Sequence, residues 1–133
     1  MERESKRMKI LFLTATYWPA QDGVSVVTQY LAEGLAKRHE VHVLATRREY
    51  PQKEEHEGVR IQRIQAARSM WNCTFQGEKK QAESYILEYQ PDVLIVVGIQ
   101  TWCYDWFIRN LERLPGKKML MTHGSSCLGE YDV

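Results

Sequence analysis

Short apolar runs recur along the chain, each bounded by turn residues, which is the pattern of buried β-strands. Five segments fit this pattern: Lys9–Thr14, Glu40–Ala45, Val59–Ile64, Val93–Val97 and Lys118–Thr122. The run Val93–Val97 reads VLIVV and is rich in β-branched residues, which favours a central parallel strand covered on both faces. Val59–Ile64 alternates apolar and polar residues, which indicates one open face and a place near the edge of the sheet.

Between these runs the apolar spacing changes to that of a helix. The first helix has Asp22 as a suitable N-cap. Its predicted buried stripe consists of Val24, Val27, Leu31 and Leu35. Two further helices are predicted: Glu78–Gln90, and a segment striped by Cys103, Phe107, Leu111 and Leu114. The charged stretch Thr46–Gly58 is interpreted as a solvated loop, and Ala66–Gly77 shows no period that assigns a structure.

The alternation of strands and helices predicts an α/β fold with right-handed crossovers. We expect a Rossmann-like three-layer α/β/α sandwich with a mainly parallel five-stranded sheet in the order 3-2-1-4-5. Residues 1–7 are interpreted as an exposed leader and residues 8–133 as one domain. Ligands of such sheets bind beyond the carboxyl ends of the strands, where the strand order reverses. The candidate binding loops are therefore Thr16–Gly23, Gly98–Thr101 and His123–Ser126.

The composition narrows the classes of function. The 133 residues are 44% hydrophobic and 26% charged, as in an ordinary globular domain. The net charge of +1 gives no strong attraction to nucleic acid, and no apolar run approaches the roughly 18 residues that span a bilayer. Three cysteines without metal-ligand spacing argue against a zinc site or a disulfide scaffold and suit a reducing compartment.

Several common nucleotide and catalytic motifs are missing from the sequence. No G-x-G-x-x-G follows the first strand, which disfavours a dinucleotide-dependent oxidoreductase. There is no P-loop and no G-x-S-x-G elbow, so a P-loop ATPase and a serine hydrolase are also disfavoured. Arg47 and Arg48 follow the second strand and could meet phosphates, although two arginines in this position are more often solvated.

Three residues at the predicted carboxyl edge are candidates for ligand contacts. Gly23 opens a helix, where unpaired N–H groups suit a phosphate; alternatively it only permits the turn. His123 ends the last strand, where it could bind a phosphate or sugar hydroxyl, or shuttle a proton; alternatively it is a structural histidine. Gln100 follows the central strand and could present its amide to a ligand.

Trp102 and Trp106 form a second apolar stripe beside the core stripe of the last predicted helix. Core packing is the usual role of such aromatic residues. The alternative is that a chain of this size leaves them uncovered, in which case they would stack on sugar rings or dock another domain.

The stretch Met8–Arg48 resembles the opening of retaining glycosyltransferases of family four, or group 1. The matching pieces are Tyr17-Trp18-Pro19, Asp22-Gly23, Leu31–Leu35 and His39–Thr46, and PDVLIVVG and KMLMTHGS look like the fourth and fifth strands of the same domain. The family loop usually has Gly-Gly where this chain has Asp22-Gly23. An acid there would repel a diphosphate unless it turns away as an N-cap.

The resemblance implies one half of a GT-B fold, in which two Rossmann-like domains face each other across a cleft. It implies transfer of a sugar from a nucleotide-sugar to an acceptor such as a glycan, lipid or small molecule, with no cofactor and no metal. Carried over by position, Gly23 lies near the donor diphosphate and His123 acts as the catalytic residue near the transferred sugar. Tyr17, Trp18 and Gln100 line the acceptor side.

The chain ends soon after the fifth strand, without the donor half that carries the family's Glu-x7-Glu motif. We therefore expect a truncated, acceptor-side N-terminal domain that is inactive alone and whose partner is the missing C-terminal Rossmann-like domain. The resemblance implies a cytoplasmic role in polysaccharide biosynthesis and leaves open a place at the inner face of the membrane. Self-association of the fragment and a stand-alone binding module without catalysis also remain open.

Overall fold

The structure is a computed structural model that describes residues 7–68, 75–98 and 101–121. The predicted leader lies outside the described residues except for Arg7, which is exposed. The elements in chain order are β1 (Lys9–Leu13), α1 (Gly23–Ala36), β2 (Glu40–Thr46), β3 (Lys53–His56), β4 (Val59–Ile64), β5 (Ala66–Arg68), β6 (Phe75–Gly77), α2 (Lys79–Tyr89), β7 (Val93–Val97), α3 (Trp102–Phe107), a 3-10 segment (Ile108–Arg113) and β8 (Lys117–Met121).

The main sheet has the order β3-β4-β2-β1-β7-β8. The five predicted strands correspond to β1, β2, β4, β7 and β8; they pair in parallel and in the predicted order. The prediction of a mainly parallel Rossmann-like sheet is therefore confirmed, with one strand more than expected. The interpretation of Thr46–Gly58 as a solvated loop is wrong for part of this stretch, because β3 lies within it and pairs antiparallel with β4 at the edge of the sheet.

The additional strand, β3, is paired with β4 through a tight turn. Glu57 and Gly58 connect β3 to β4 with φ values of 52° and 81°, and two consecutive positive φ angles match the twist of a two-residue hairpin. All four side chains of β3 are polar, so its sequence lacks the apolar alternation by which a strand is recognised. A second pair, β5 with β6, occupies part of the stretch that had no assigned structure.

Helices cover both faces of the sheet and bury a core on each side. One face packs on α1 through residues such as Phe12, Val43 and Ile95. The other face packs on α2 and α3 through residues such as Leu11 and Leu44. This is the predicted three-layer arrangement. Within the described ranges no helix is both long enough and apolar enough to cross a membrane.

The contact face of α1 differs from the predicted stripe. The fully buried residues are Ser25, Thr28 and Ala32, whereas Val27 and Leu31 are 44% and 43% exposed. Small side chains let the helix approach the sheet closely, and their hydroxyls are satisfied locally, because Thr28 Oγ1 donates to the Val24 carbonyl at 2.8 Å. Of the predicted stripe, Val24 and Leu35 pack against the core as expected, whereas the closest helix–sheet contact uses small residues that apolar periodicity does not detect.

The structure buries Trp102 and Trp106, which confirms core packing and excludes the exposed alternative for both. Trp102 Nε1 donates to Thr46 Oγ1 at 2.8 Å, and Trp106 Nε1 donates to the Phe75 carbonyl at 3.1 Å. Buried indole N–H groups need such partners, so these two bonds join α3 to β2 and to β6.

Candidate functional site

The topology places a crevice at the carboxyl edge of the sheet. The chain leaves β1 through α1 toward β2 on one side, while β7 pairs with β1 on the other side. The strand order thus reverses between β1 and β7, the place where open α/β sheets bind ligands. Residues 14–22, here called the first crevice loop, leave β1 at this point, and residues 47–52 leave β2 beside them.

The first crevice loop contains the two aromatic residues predicted to line the acceptor side. Tyr17 is 2% exposed, and its hydroxyl has no hydrogen-bond partner among the described residues. Burial, with a smaller effect of Glu33, raises the pKa of Tyr17 above its ordinary value, so the phenol is neutral. Trp18 is partly exposed, and its ring stacks on His56 with centroids 3.8 Å apart and planes 11° apart. Of these two side chains, Trp18 is the one within reach of a ligand.

A buried arginine holds this loop to the sheet. Arg63 is 1% exposed on β4, and its Nη2 donates to the Trp18 carbonyl at 2.6 Å. Its Nη1 donates to Glu54 Oε1 at 2.6 Å and to the Pro51 carbonyl at 3.1 Å. The guanidinium carbon also lies 4.9 Å from the centre of the Tyr50 ring. One side chain therefore joins the loop after β1, the loop after β2 and the edge strand β3.

The alternation of residues in β4 contains a signal for the burial of Arg63. In the alternation of β4, Val59, Ile61 and Arg63 share a face, and the first two are buried in the core. A charged residue on an inward-facing position requires a buried partner. The carboxylate of that partner, Glu54, lies in the stretch interpreted as a solvated loop, which is why the pair was missed.

Gly23 is exposed and is the first residue of α1, at the carboxyl end of β1, as predicted. The predicted N-cap is also present, because Asp22 Oδ1 accepts from the backbone N–H of Ser25 at 2.9 Å. Thr16 Oγ1 donates to the same oxygen at 3.3 Å. The carboxylate of Asp22 thus already occupies part of the positively polarised end of α1, beside Gly23.

The end of β2 supplies two basic residues to the edge of the crevice. Arg48 is exposed and has a left-handed backbone with φ 49°, in a turn closed by a hydrogen bond from the Tyr50 N–H to the Arg47 carbonyl at 2.9 Å. Arg47 is partly exposed. These positions fit the solvated interpretation. Arg48 also lines a small cleft together with Thr16 and Thr46.

Two predicted site residues, Gln100 and His123, lie outside the described residues. The chain is described up to Gly98 after β7 and up to Met121 at the end of β8. These two strands are neighbours, and the Gly98 N–H donates to the Met121 carbonyl at 2.6 Å. Gln100 and His123 therefore follow adjacent strand ends of the sheet. Across residues 7–68, 75–98 and 101–121, no group of three or more histidine, cysteine or acidic residues is arranged to hold a metal ion.

The doubly wound sheet, whose strand order reverses between β1 and β7, defines a Rossmann-like domain. The sequence pattern described as Glycosyltransferase Family 4 matches residues 21–127, about four fifths of the chain. The chain belongs to Glycosyltransferase Family 4. A comparison with curated proteins gives no match.

A solved structure shows the same fold. Sucrose-phosphate synthase from Thermosynechococcus elongatus is 17% identical to this chain, with a TM-score of 0.65 over 96% of this chain and 35% of that chain. The present chain thus spans about a third of the length of that enzyme. The prediction that the chain forms one Rossmann-like half of a GT-B glycosyltransferase is confirmed.

Proposed function

We propose that this chain is the acceptor-side domain of a retaining glycosyltransferase that transfers a sugar from a nucleotide-sugar to an acceptor. The observation that supports this most is the crevice between β1 and β7 in a chain of Glycosyltransferase Family 4. The first crevice loop borders this crevice and presents Trp18, a partly exposed indole backed by His56. A rigidly held aromatic ring suits the apolar face of a sugar or of another small acceptor.

The nucleotide-sugar would be held mainly by a second Rossmann-like domain across the cleft. On this side, Gly23 would approach the donor diphosphate, and His123 would lie near the transferred sugar. An imidazole N–H can stabilise charge that develops on the departing diphosphate. Gln100 would complete the acceptor side beside Trp18. We propose no cofactor and no metal, since the nucleotide-sugar is itself a substrate.

The proposed setting is the cytoplasm, including the inner face of the membrane, in the synthesis of a polysaccharide or another glycan. Nucleic acid is not a proposed partner, because the net charge is only +1. The isolated chain would also tend to self-associate, since β8 forms a sheet edge on which Met119 and Leu120 are 53% and 46% exposed.

A screen of nucleotide-sugars against glycan, lipid and small-molecule acceptors tests the proposal, using the complete two-domain enzyme. The expected result is one donor–acceptor pair that gives a glycosylated product by mass spectrometry. NMR of that product should show the anomeric configuration of the donor, because the mechanism is proposed to be retaining. An inverted product would contradict retention, and binding of an acceptor without consumption of any donor would favour a binding module.

A further inference from the structure

We propose that Arg63 is a positioning residue that fixes the first crevice loop and thereby sets the affinity of the enzyme for its acceptor. The inference rests on the proposed function in one respect, namely that this loop contacts the acceptor. The effect of Arg63 on the conformation of the loop follows from the contacts of the chain itself.

The contacts of Arg63 converge on the two loops that border the crevice. Its Nη2 donates to the carbonyl of Trp18 in the first crevice loop at 2.6 Å, and its Nη1 donates to the carbonyl of Pro51 in the loop after β2 at 3.1 Å. Both acceptors are backbone atoms, so the two bonds constrain the path of the chain rather than a side-chain rotamer. The two loops are therefore held in a fixed relation.

The edge strand β3 supports this arrangement from the other side. Glu54 and His56 lie on the same face of β3. Glu54 Oε1 accepts from Arg63 at 2.6 Å, and the ring of His56 stacks on Trp18 at 3.8 Å. The strand β3 thus supports the loop in two ways: Glu54 pairs with Arg63, which bonds the Trp18 backbone, and His56 stacks directly on the Trp18 indole.

The chemistry of the side chain favours positioning over stability alone. A buried ion pair costs desolvation free energy, and apolar residues of similar size are often as stabilising in its place. A guanidinium differs from an apolar side chain in that its planar fork donates in fixed directions to several acceptors at once. The residue type at position 63 therefore suits a geometric task, with three acceptors in three different segments.

The first test follows the loop without any measurement of activity. The complete enzyme is labelled with 5-fluorotryptophan, and the fluorine resonance of Trp18 is assigned with Trp18→Phe. We expect Arg63→Lys to shift or broaden the Trp18 resonance and to leave those of Trp102 and Trp106 unchanged. The matched control is Arg60→Lys, because Arg60 is an exposed arginine on the opposite face of the same strand. An unchanged Trp18 resonance in folded Arg63→Lys would overturn the proposal.

The second test compares the Michaelis constants of the two substrates. Arg63→Lys should raise the acceptor KM by roughly tenfold and leave the donor KM within about twofold, because small displacements of substrate-positioning groups have large kinetic effects. A purely structural role would lower the melting temperature with both constants unchanged, which contradicts the proposal. If the wild-type enzyme transfers no sugar, the proposed function fails. The fluorine measurement still shows whether Arg63 fixes the conformation of the first crevice loop.

Milder variants cover the case in which Arg63→Lys does not fold. Glu54→Gln keeps an oxygen acceptor for the guanidinium and removes the charge, and His56→Ala removes the stacking contact with Trp18. Both should move the Trp18 resonance, and His56→Ala should raise the acceptor KM by about threefold, in line with the loss of a single aromatic contact. Two folded variants with unchanged resonances and unchanged acceptor KM would refute the assignment.

Discussion

The hydroxyl of Tyr85 lies 2.6 Å from Nδ1 of His42, and this contact buries the imidazole between α2 and the sheet. The ring of Tyr89 stacks on the same imidazole with centroids 4.0 Å apart. Nε2 makes no hydrogen bond among the described residues, although Oε2 of Glu40 lies 3.4 Å from it. The imidazole of His42 thus lies against two tyrosines of α2, near the end of β2 that is opposite to the crevice.

Stability should fall as the pH drops because of His42. Burial lowers its pKa below the ordinary value of 6.5; Glu40 opposes this shift, while Arg60 and Lys9 add to it. The unfolded chain therefore takes up the proton first, so the contribution is full above about pH 6.5 and is lost as the pH falls toward the lower folded pKa. Each unit of pKa difference corresponds to about 1.4 kcal/mol.

Urea unfolding of wild type and His42→Gln at about pH 7.5 and pH 5.5 measures this contribution. The loss of unfolding free energy between the two pH values should be smaller in His42→Gln. Equal losses in the two proteins would show that another group titrates instead.

Asp22 offers a way to separate helix capping from donor binding. Asp22→Ala should lower the free energy of unfolding by about 1 kcal/mol, because the bond to the Ser25 N–H is lost. Asp22→Asn keeps an oxygen acceptor for that bond but removes the negative charge beside Gly23. If the donor diphosphate lies at Gly23, the asparagine variant should have a lower donor KM in the complete enzyme. A donor KM that does not change would place the diphosphate elsewhere.

Two glycines should respond in opposite ways to substitution by alanine. Gly116 has φ 89°, and an added Cβ would lie 2.4 Å from the Pro91 carbonyl oxygen, so Gly116→Ala should cost about 3 kcal/mol of unfolding free energy. Gly34 lies within α1 with open space around its Cβ position, so Gly34→Ala should add about 0.5 to 1 kcal/mol. Chemical denaturation of both variants checks the pair, and a similar effect of the two changes would contradict the turn geometry.

The strands could be predicted because their apolar runs are local. The local composition predicts five of the strands, namely β1, β2, β4, β7 and β8, and the crossovers then determine the order of these strands in the sheet. The buried face of α1 could not be predicted from apolar periodicity, since Ser25, Thr28 and Ala32 form the contact. β3 could not be predicted from its four polar residues, because its existence depends on pairing with β4 across a tight turn.

The same reasoning applies to the site. The crevice and the position of Gly23 follow from topology, and topology was predictable. The burial of Tyr17 and the contacts of Arg63 depend on how the first crevice loop folds back over β3 and β4. The bond from Arg63 to the Trp18 carbonyl joins residues 45 positions apart in the sequence, and no local pattern encodes it.

His123 should matter more for turnover than for stability in the complete enzyme. The prediction rests on its place in the sequence after the fifth predicted strand, where side chains face the crevice. Loss of one contact that stabilises the departing diphosphate typically lowers the rate by roughly a hundredfold, or about 3 kcal/mol. His123→Ala should therefore fold with a near-normal melting temperature and turn over slowly. A large drop in melting temperature with near-normal turnover per folded molecule would assign His123 to the core.

The most direct test of the acceptor-side assignment compares the complete enzyme with residues 1–133 alone. The measurement is release of nucleoside diphosphate from the preferred nucleotide-sugar in the presence of the preferred acceptor, with folding of the shorter chain confirmed by circular dichroism. The account predicts steady release by the complete enzyme and none above background by residues 1–133, because the donor would be held by the second domain. Measurable turnover by residues 1–133 alone would contradict it.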